Sequence, residues 1–182
     1  MRIISGKWKG KRIEAPGNLP VRPTTDMAKE GLFNYLQTRL EWEGLEALDL
    51  FAGTGNISYE LLSRGAALVV VVDKHPSCTK FISNTLRQLG VTQSRVYTTD
   101  ARVAVERSKD HFDFIFADPP YDLAIHHELS ALIMKSSLLR PGGIYAIEHP
   151  SEVNLTTIEG YVETRHYGRV HFSFFSIPSD AQ

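Results

Sequence analysis

The feature that most constrains the fold of this sequence is the alternation of short apolar runs with helical patterns that begins near Leu45. This alternation is typical of βαβ units. Residues 69–72 are four consecutive valines, which indicates a strand of a parallel sheet that is covered on both faces. We therefore predict an α/β fold with a mostly parallel sheet. The predicted strands are 47–51, 68–72, 95–98, 112–117 and 143–147, and the predicted helices are 56–64, 77–89, 101–107 and 124–135.

The segments on either side of this alternation show different patterns. Residues 164–177 alternate with period two, which predicts an antiparallel pair at one edge of the sheet. Residues 2–14 contain two short strand-like runs around a turn with Gly6 and Gly10, which predicts a hairpin. We divide the chain into a hairpin and proline-rich connector, residues 1–23, and a main domain, residues 24–182.

A helix is predicted directly after the connector. Thr24, Thr25 or Asp26 can cap it, and it should run to about Leu40. Its apolar residues at helical spacing should lie on one face. They are Leu32, Phe33, Leu36 and Leu40.

Basic residues are concentrated at the start of the chain. Residues 1–29 contain seven lysines and arginines and two acidic residues, a net charge of +5, so the rest of the chain carries −6 of the total −1. A basic arm on an acidic body is typical of a protein that binds nucleic-acid phosphates, although a solvated surface hairpin is an alternative. The candidate RNA-binding residues are Arg2, Lys7, Lys9, Lys11, Arg12 and Arg22.

The composition is that of one soluble globular domain. The single cysteine, Cys78, excludes an internal disulfide and is interpreted as a thiol on a helix. The sequence contains no apolar run of transmembrane length and no signal-peptide pattern at its start, so we expect a cytoplasmic protein without a membrane partner. We also expect a monomer.

A glycine-containing loop, Asp49 to Gly55, follows the first predicted strand of the sheet and opens a helix. Gly53 and Gly55 can make the tight turn and let a ligand approach the backbone. Asp73 closes the second strand about 20 residues later, where a carboxylate can accept the two ribose hydroxyls of a nucleoside. A plain strand-to-helix turn and a helix cap are the alternatives for these positions.

The nucleoside ligand indicated by this loop is not NAD. The dinucleotide-binding fingerprint needs a third glycine where Ser58 stands. Asp49 at the mouth of the loop favours an ammonium or sulfonium group over a pyrophosphate. Asp100, after the third strand, can contact an adenine, cap the next helix, or do both. The candidate cofactor-binding residues are Asp49, Gly53, Gly55, Asp73, Asp100 and Asp118.

The most specific motif is Asp118-Pro119-Pro120-Tyr121, directly after the fourth predicted strand. The carboxyl ends of parallel strands are where an open α/β sheet binds ligands. The prolines stiffen the turn and remove two N–H donors, so the local backbone is rich in acceptors. A carboxylate, such a backbone and an aromatic ring suit a planar base bearing an amino group. The candidate catalytic residues are therefore Asp118, Pro119 and Tyr121.

The seven histidines do not predict a metal site. His126 and His127 are adjacent and therefore point to different sides of a helix, with no further ligand at a suitable spacing. Glu148 and His149 end the fifth predicted strand. They could line the rim of the pocket, but the interpretation we favour is a pair on the protein surface.

These motifs together resemble the RsmD-type methyltransferases, which form N2-methylguanine in bacterial 16S ribosomal RNA. The glycine loop and the Asp-Pro-Pro-Tyr motif are shared with many amino-methyltransferases, and the N-terminal block narrows the match. One departure is that Met27 and Lys29 replace arginines that are usual in the family. The matching segments are 1–6, 22–26, 30, 32–34, 49–55, 63–66, 118–121, 148–149 and 167–168.

The resemblance implies a Rossmann-like, seven-stranded sheet of the class I methyltransferases, with S-adenosylmethionine as methyl donor and no metal. It also implies 16S rRNA, within the small ribosomal subunit or an assembly intermediate of it, as the partner. Rival interpretations are an amino-methyltransferase of the same fold acting on DNA adenine, another rRNA base or a protein amide. A nucleotide-binding oxidoreductase and a non-catalytic RNA-binding module are rivals of other classes.

Overall fold

The computed structural model describes residues 1–21, 24–122 and 124–179. Helices and strands alternate along most of the chain. The helices are α1 (Asp26–Gln37), α2 (Asn56–Arg64), α3 (Pro76–Gln88), α4 (Ala101–Arg107) and α5 (His126–Lys135). The strands are β1 (Glu46–Leu50), β2 (Leu68–Asp73), β3 (Ser94–Thr98), β4 (Phe112–Ala117), β5 (Leu139–His149), β6 (Tyr161–Tyr167) and β7 (Val170–Ser176).

The strands form one seven-stranded sheet in the order β3-β2-β1-β4-β5-β7-β6. The first five strands in this order are parallel, and β7 pairs antiparallel with both β5 and β6. The predicted α/β class, the mostly parallel sheet and the antiparallel edge pair are therefore confirmed. The strand order reverses between β1 and β4, and in sheets of this kind the crevice at that point binds ligands.

Both faces of the sheet are covered, as the valine run predicts. Val69 and Val71 face the core beneath α1, α2 and α3, whereas Val70 and Val72 face the core beneath α4 and α5. Successive side chains of a strand point to opposite faces, so one continuous apolar run can serve two cores. None of the described helices is long and apolar enough to span a membrane.

Helix α1 is capped by Thr25, whose side chain accepts a hydrogen bond from the backbone N–H of Ala28. It ends at Gln37 rather than near Leu40. The predicted apolar face is buried through Leu36. Strand β5 is longer than predicted, because it already pairs with β4 at Leu139 and passes an irregularity in register before regular pairing resumes at Ile144.

The N-terminal hairpin forms with minimal strand structure. Its two sides share a single antiparallel bridge between Arg2 and Arg12, supported by hydrogen bonds from the Ile3 N–H to the Lys11 carbonyl at 2.9 Å and from the Ile13 N–H to the Met1 carbonyl at 3.0 Å. Ile3 and Ile13 are buried. This basic segment, residues 1–13, is called the arm below.

The arm is fastened to α2. The Glu60 carboxylate, which is fully buried, accepts the N–H groups of Ile4 at 2.8 Å and Ser5 at 3.0 Å. Gly6 passes so close to α2 that an added Cβ would lie 1.8 Å from the Ser63 carbonyl oxygen. Only glycine allows this close approach. Its positive φ of 81° is a second reason why this position requires glycine.

Lys29 belongs to this anchor, although by sequence it counts among the basic residues of the N-terminal region. Its ammonium donates to the Arg2 carbonyl at 2.5 Å and to Asn56 Oδ1 at 2.8 Å, and lies 3.4 Å from Glu60. The side chain is fully buried, and this burial lowers the pKa of Lys29. Lys29 therefore cannot contribute to a phosphate-binding surface.

Candidate active site

The glycine loop connects the carboxyl end of β1 to α2 at the point where the strand order reverses. Gly53 and Gly55 both have positive φ, 56° and 81°. A Cβ on Gly55 would lie 2.7 Å from the ring of Tyr59, so this position accepts no larger residue without displacing the ring. The N–H of Ala52 donates to the Val72 carbonyl at 3.0 Å and ties the loop to the end of β2.

Asp73 ends β2 beside this loop and is almost fully buried. Its carboxylate accepts the N–H of Gly53 at 2.8 Å and the N–H of His75, the residue before α3, at 2.8 Å. It therefore orders the loop and also serves the start of α3. Each carboxylate oxygen keeps a second lone pair that can accept a ribose hydroxyl.

Asp49 is buried in β1 under the loop. One carboxylate oxygen accepts the Ser58 hydroxyl at 2.5 Å, so the serine that breaks the dinucleotide fingerprint serves Asp49 instead. The other oxygen, Oδ1, is buried with no partner among the described residues. Burial raises the pKa of Asp49 to about 7. An unpartnered carboxylate in such a place fits a ligand that carries a positive charge, as the sulfonium of S-adenosylmethionine does.

Asp100 follows β3 at the same edge of the sheet. Its carboxylate accepts the N–H of Arg102 at 2.9 Å and caps α4, so the helix-cap interpretation is confirmed. The preceding residue, Thr99, donates its N–H to the Asp73 carbonyl at 3.1 Å. Asp100 therefore lies next to the carboxyl end of β2, where contact with an adenine remains a prediction.

The Asp118–Tyr121 segment leaves β4 next to the glycine loop, since the Asp118 N–H donates to the Leu50 carbonyl of β1 at 3.3 Å. Burial, then Glu148, then Asp49 raise the pKa of Asp118 well above its ordinary value. Tyr121 is 49% exposed. Its hydroxyl donates to Glu148 Oε1 at 3.0 Å.

The interpretation of Glu148 and His149 as a surface pair is wrong. Glu148 is 7% exposed and His149 2% exposed, because β7 pairs with β5 as far as these residues, opposite Phe172 and His171. Glu148 Oε2 is buried with no partner among the described residues. The sequence signal that could have identified Glu148 is its place directly after the apolar end of a central strand, as for Asp73 and Asp118.

His126, His127 and Cys78 make none of the contacts described above for the glycine loop and the Asp118–Tyr121 segment. His126 is buried and His127 exposed, so the two adjacent side chains have different environments, as predicted. Cys78 is a buried thiol on α3. Within residues 1–21, 24–122 and 124–179, no three potential ligands are grouped so that they could hold a metal ion.

The candidate RNA-binding residues fall into two groups. Lys7, Lys9, Lys11 and Arg12 are exposed, and in the part of the chain that the structure describes none of them forms an ion pair. Arg2 instead lies 3.8 Å from Asp26 and 3.6 Å from Glu30. Arg22 lies outside the described residues.

The sheet order, the glycine loop after β1 and the acidic residues at the ends of β2 and β4 define a Rossmann-like fold of the class I, S-adenosylmethionine-dependent methyltransferases. A "putative SAM-dependent methyltransferase" of Streptococcus mutans shares this fold at 13% identity, with a TM-score of 0.66 over 82% of this chain and 48% of that one. Residues 1–176 match the family model described as conserved hypothetical protein 95, and the chain belongs to that family.

Relatives from two bacteria match nearly the whole chain. "Putative rRNA methyltransferase YlbH" of Bacillus subtilis is 36% identical over 170 residues, covering 91% of each chain. Ribosomal RNA small subunit methyltransferase D of Escherichia coli is 28% identical over 158 residues, covering 87% of this chain and 79% of that one. The structure of "Putative methyltransferase yhhF" of Escherichia coli superposes with a TM-score of 0.85 at 26% identity, covering 99% of both chains. The resemblance to the RsmD-type enzymes is thus confirmed.

Proposed function

We propose that this protein transfers a methyl group from S-adenosylmethionine to the exocyclic N2 of a guanine in 16S rRNA, within the small ribosomal subunit or an assembly intermediate of it. The observation that carries the proposal is the direct attachment of the Asp118–Tyr121 segment to the end of β1, next to the glycine loop. A base-binding motif and a nucleoside-binding loop then share one crevice. The rRNA methyltransferase names of the relatives support RNA as the substrate.

The cofactor would be held by the residues around the glycine loop. Asp73 would accept its ribose hydroxyls, the backbone of Gly53 and Gly55 would allow close approach, and Asp49 would compensate its positive charge. Asp100 would lie at the adenine. Bound there, S-adenosylmethionine supplies an electrophilic methyl group on a positively charged sulfur.

The protein's own contribution is to orient a poor nucleophile. The lone pair of a guanine N2 is delocalised into the ring. If the Asp118 carboxylate and the Pro119 carbonyl accept the two N–H bonds of the amine, the lone pair turns out of the ring plane toward the methyl group. Positioning of this kind and stabilisation of developing charge provide much of an enzyme's rate.

The amine nitrogen becomes positively charged as its bond to the methyl carbon forms and the bond from that carbon to sulfur breaks. It then loses one proton, either to Asp118 or to water. Because burial and the neighbouring carboxylates raise the pKa of Asp118, this side chain is a better proton acceptor than an exposed aspartate. The exposed ring of Tyr121 would stack on the base.

The function is tested by nucleoside analysis of 16S rRNA from a strain that lacks this protein. We expect one N2-methylguanine to be lost and to return when the purified protein and S-adenosylmethionine are added to small subunits from that strain. An unchanged set of methylated nucleosides would contradict the proposal. Loss of a methyladenine instead would establish the rival adenine activity.

Asp73→Ala should weaken the binding of S-adenosylmethionine and of S-adenosylhomocysteine at least tenfold. Hydrogen bonds to a charged acceptor contribute about 1.5–3 kcal/mol each, and the variant also releases the N–H of Gly53. Isothermal titration calorimetry measures the effect. Asp110→Ala, a partly exposed aspartate away from the loop, is the matched control and should bind as the parent does. Equal affinities for the two variants would exclude this role for Asp73.

Replacing Lys7, Lys9, Lys11 and Arg12 together with alanine should weaken RNA binding and flatten its salt dependence. Each phosphate contact that is lost lowers the slope of log affinity against log salt by about 0.7–0.9. Binding of small subunits is measured over a range of salt concentrations, and cofactor affinity should persist.

The control for the arm variant removes three exposed charges near the ends of α4 and α5, which cover the face of the sheet opposite to the one that the arm packs on. These residues are Arg107, Lys109 and Lys135. The control should keep the parental slope. If the arm variant also kept it, the arm would have a structural role only.

A further inference from the structure

Glu148 lies beside the proposed transfer site. Strands β4 and β5 are parallel with Ala117 opposite Ile147, so the next residues, Asp118 and Glu148, are neighbours at the carboxyl edge of the sheet. Paired strands lie about 4.8 Å apart. Burial and then the neighbouring Glu148 raise the pKa of Asp118, and burial raises the pKa of Glu148. The transfer site therefore contains two adjacent carboxyl groups, of which the mechanism above uses one.

The carboxylate of Glu148 is only half satisfied. Oε1 accepts the Tyr121 hydroxyl at 3.0 Å, whereas Oε2 is buried without a partner in the described part of the chain. Leaving a buried polar group without a hydrogen bond is unfavourable, so such an atom in a binding crevice is suited to a donor that a ligand brings. The hydrogen bond from Tyr121 fixes the orientation of the carboxylate, and Oε2 is then free to accept that donor.

The donor that fits is determined by the chemistry of the bases. A carboxylate beside the one that holds the amino group meets the ring atom next to that group. In guanine the ring nitrogen that flanks the amino group on the Watson–Crick edge is N1–H, a donor, and in adenine and cytosine the corresponding ring nitrogen is an acceptor. Proteins read single-stranded bases by hydrogen bonds to this Watson–Crick edge.

We propose that Glu148 accepts the N1–H of the target guanine and is the residue that makes the enzyme specific for guanine over adenine and cytosine. This inference rests on the proposed function. An ionised carboxylate facing the ring nitrogen of adenine would set two acceptors against each other. A site built to hydrogen-bond one donor rejects analogues that lack it far more strongly than an apolar pocket does.

The test uses 2-aminopurine, which keeps the N2 amine but has an acceptor at N1. Small subunits are assembled from 16S rRNA that carries either guanosine or 2-aminopurine at the modified position, mapped beforehand, and single-turnover methyl transfer to each is measured. The parent should prefer guanosine strongly. In Glu148→Gln, the amide can donate to N1 of 2-aminopurine, so the preference for guanosine should fall at least tenfold.

Two controls separate this role from a structural one. Glu152→Gln, an exposed glutamate three residues beyond His149, should keep the parental preference. Tyr121→Phe removes the hydroxyl that orients Glu148 and should lower the preference in part, which provides a second variant should Glu148→Gln fold poorly. Binding of S-adenosylhomocysteine verifies that each variant is folded.

The outcomes distinguish this inference from the proposed function. If the parent transfers methyl groups to guanosine and Glu148→Gln slows both substrates equally, the preference is unchanged and Glu148 does not read N1–H. If the parent transfers nothing to guanosine in small subunits, the proposed function itself is wrong, and the role of Glu148 fails with it. A preference that moves toward 2-aminopurine supports both.

Discussion

Asp118→Ala should lower single-turnover methyl transfer to small subunits at least about 100-fold while the cofactor still binds. The variant lacks the acceptor that faces the guanine amine, whose charge changes in the transition state. Removal of one such hydrogen-bonding partner lowers turnover about 100- to 1,000-fold. The assay uses subunits from the deletion strain with S-adenosylmethionine at saturation, so that weaker cofactor binding cannot imitate the effect. Calorimetry with S-adenosylhomocysteine measures that binding separately.

Two further variants show which property of Asp118 matters. Asp118→Asn keeps an acceptor oxygen and loses the charge, so we expect it to retain part of the activity. Asp122→Asn is the matched control, because Asp122 is exposed and follows the motif directly. It should transfer methyl groups at the parental rate. If Asp118→Ala also did so, the Asp118–Tyr121 segment would be a structural turn and the transfer site would lie elsewhere.

The sheet was predictable because its signals are local. A strand that serves two cores has apolar side chains on both of its faces, and the valines of β2 show this directly. Residues that follow such strands necessarily meet at one edge of a parallel sheet. The positions of Asp73 and Asp118 could therefore be inferred, and the structure places both there. Their roles toward cofactor and base stay predictions.

Glu148 was misjudged because its burial is not a local property. It is buried by β7, which pairs with β5 from more than 20 residues further along the chain. A charged residue at the end of a strand is usually exposed. The bond from Tyr121 depends on the neighbouring end of β4 and could not be read from either segment alone.

Lys29 shows the same limit in the N-terminal region. A lysine on the first turn of a capped helix is ordinarily solvated, and in the sequence Lys29 is one of the seven basic residues of the N-terminal region. The structure instead buries it between Arg2, Asn56 and Glu60. This network joins the arm to the first turn of α2, the helix that the glycine loop opens. The arm and the glycine loop are therefore both attached to the start of α2.

The second large expected effect concerns the stability of the protein and follows from the buried network around Glu60. Glu60→Ala should lower the free energy of unfolding by about 3–5 kcal/mol, because removal of one partner of a buried ion pair leaves the other charge uncompensated. In this variant the Lys29 ammonium and the N–H groups of Ile4 and Ser5 would lose their contacts with the Glu60 carboxylate. Arg64, whose Nε lies 3.0 Å from Glu60, would also lose its partner.

The partners of Glu60 also predict an order among the variants. Glu60→Gln keeps one acceptor and should cost less than Glu60→Ala. Lys29→Met should cost least, since the carboxylate keeps Arg64 and the two backbone N–H groups of the arm. Denaturant unfolding gives the free energies, with Glu106→Ala, an exposed glutamate on α4, as a control that should change stability by no more than about 0.5 kcal/mol.

Hydrogen exchange tests whether the loss begins at the arm. In Glu60→Gln the amides of Ile4 and Ser5 should exchange faster than in the parent, while amides in the central strands stay protected, because local opening needs less free energy than global unfolding. If Glu60→Ala unfolded at the same denaturant concentration as the Glu106 control, the buried network would contribute nothing to stability. The arm would then be held by its hydrogen bonds with Ser63 and by the apolar contacts of Ile3 and Ile13.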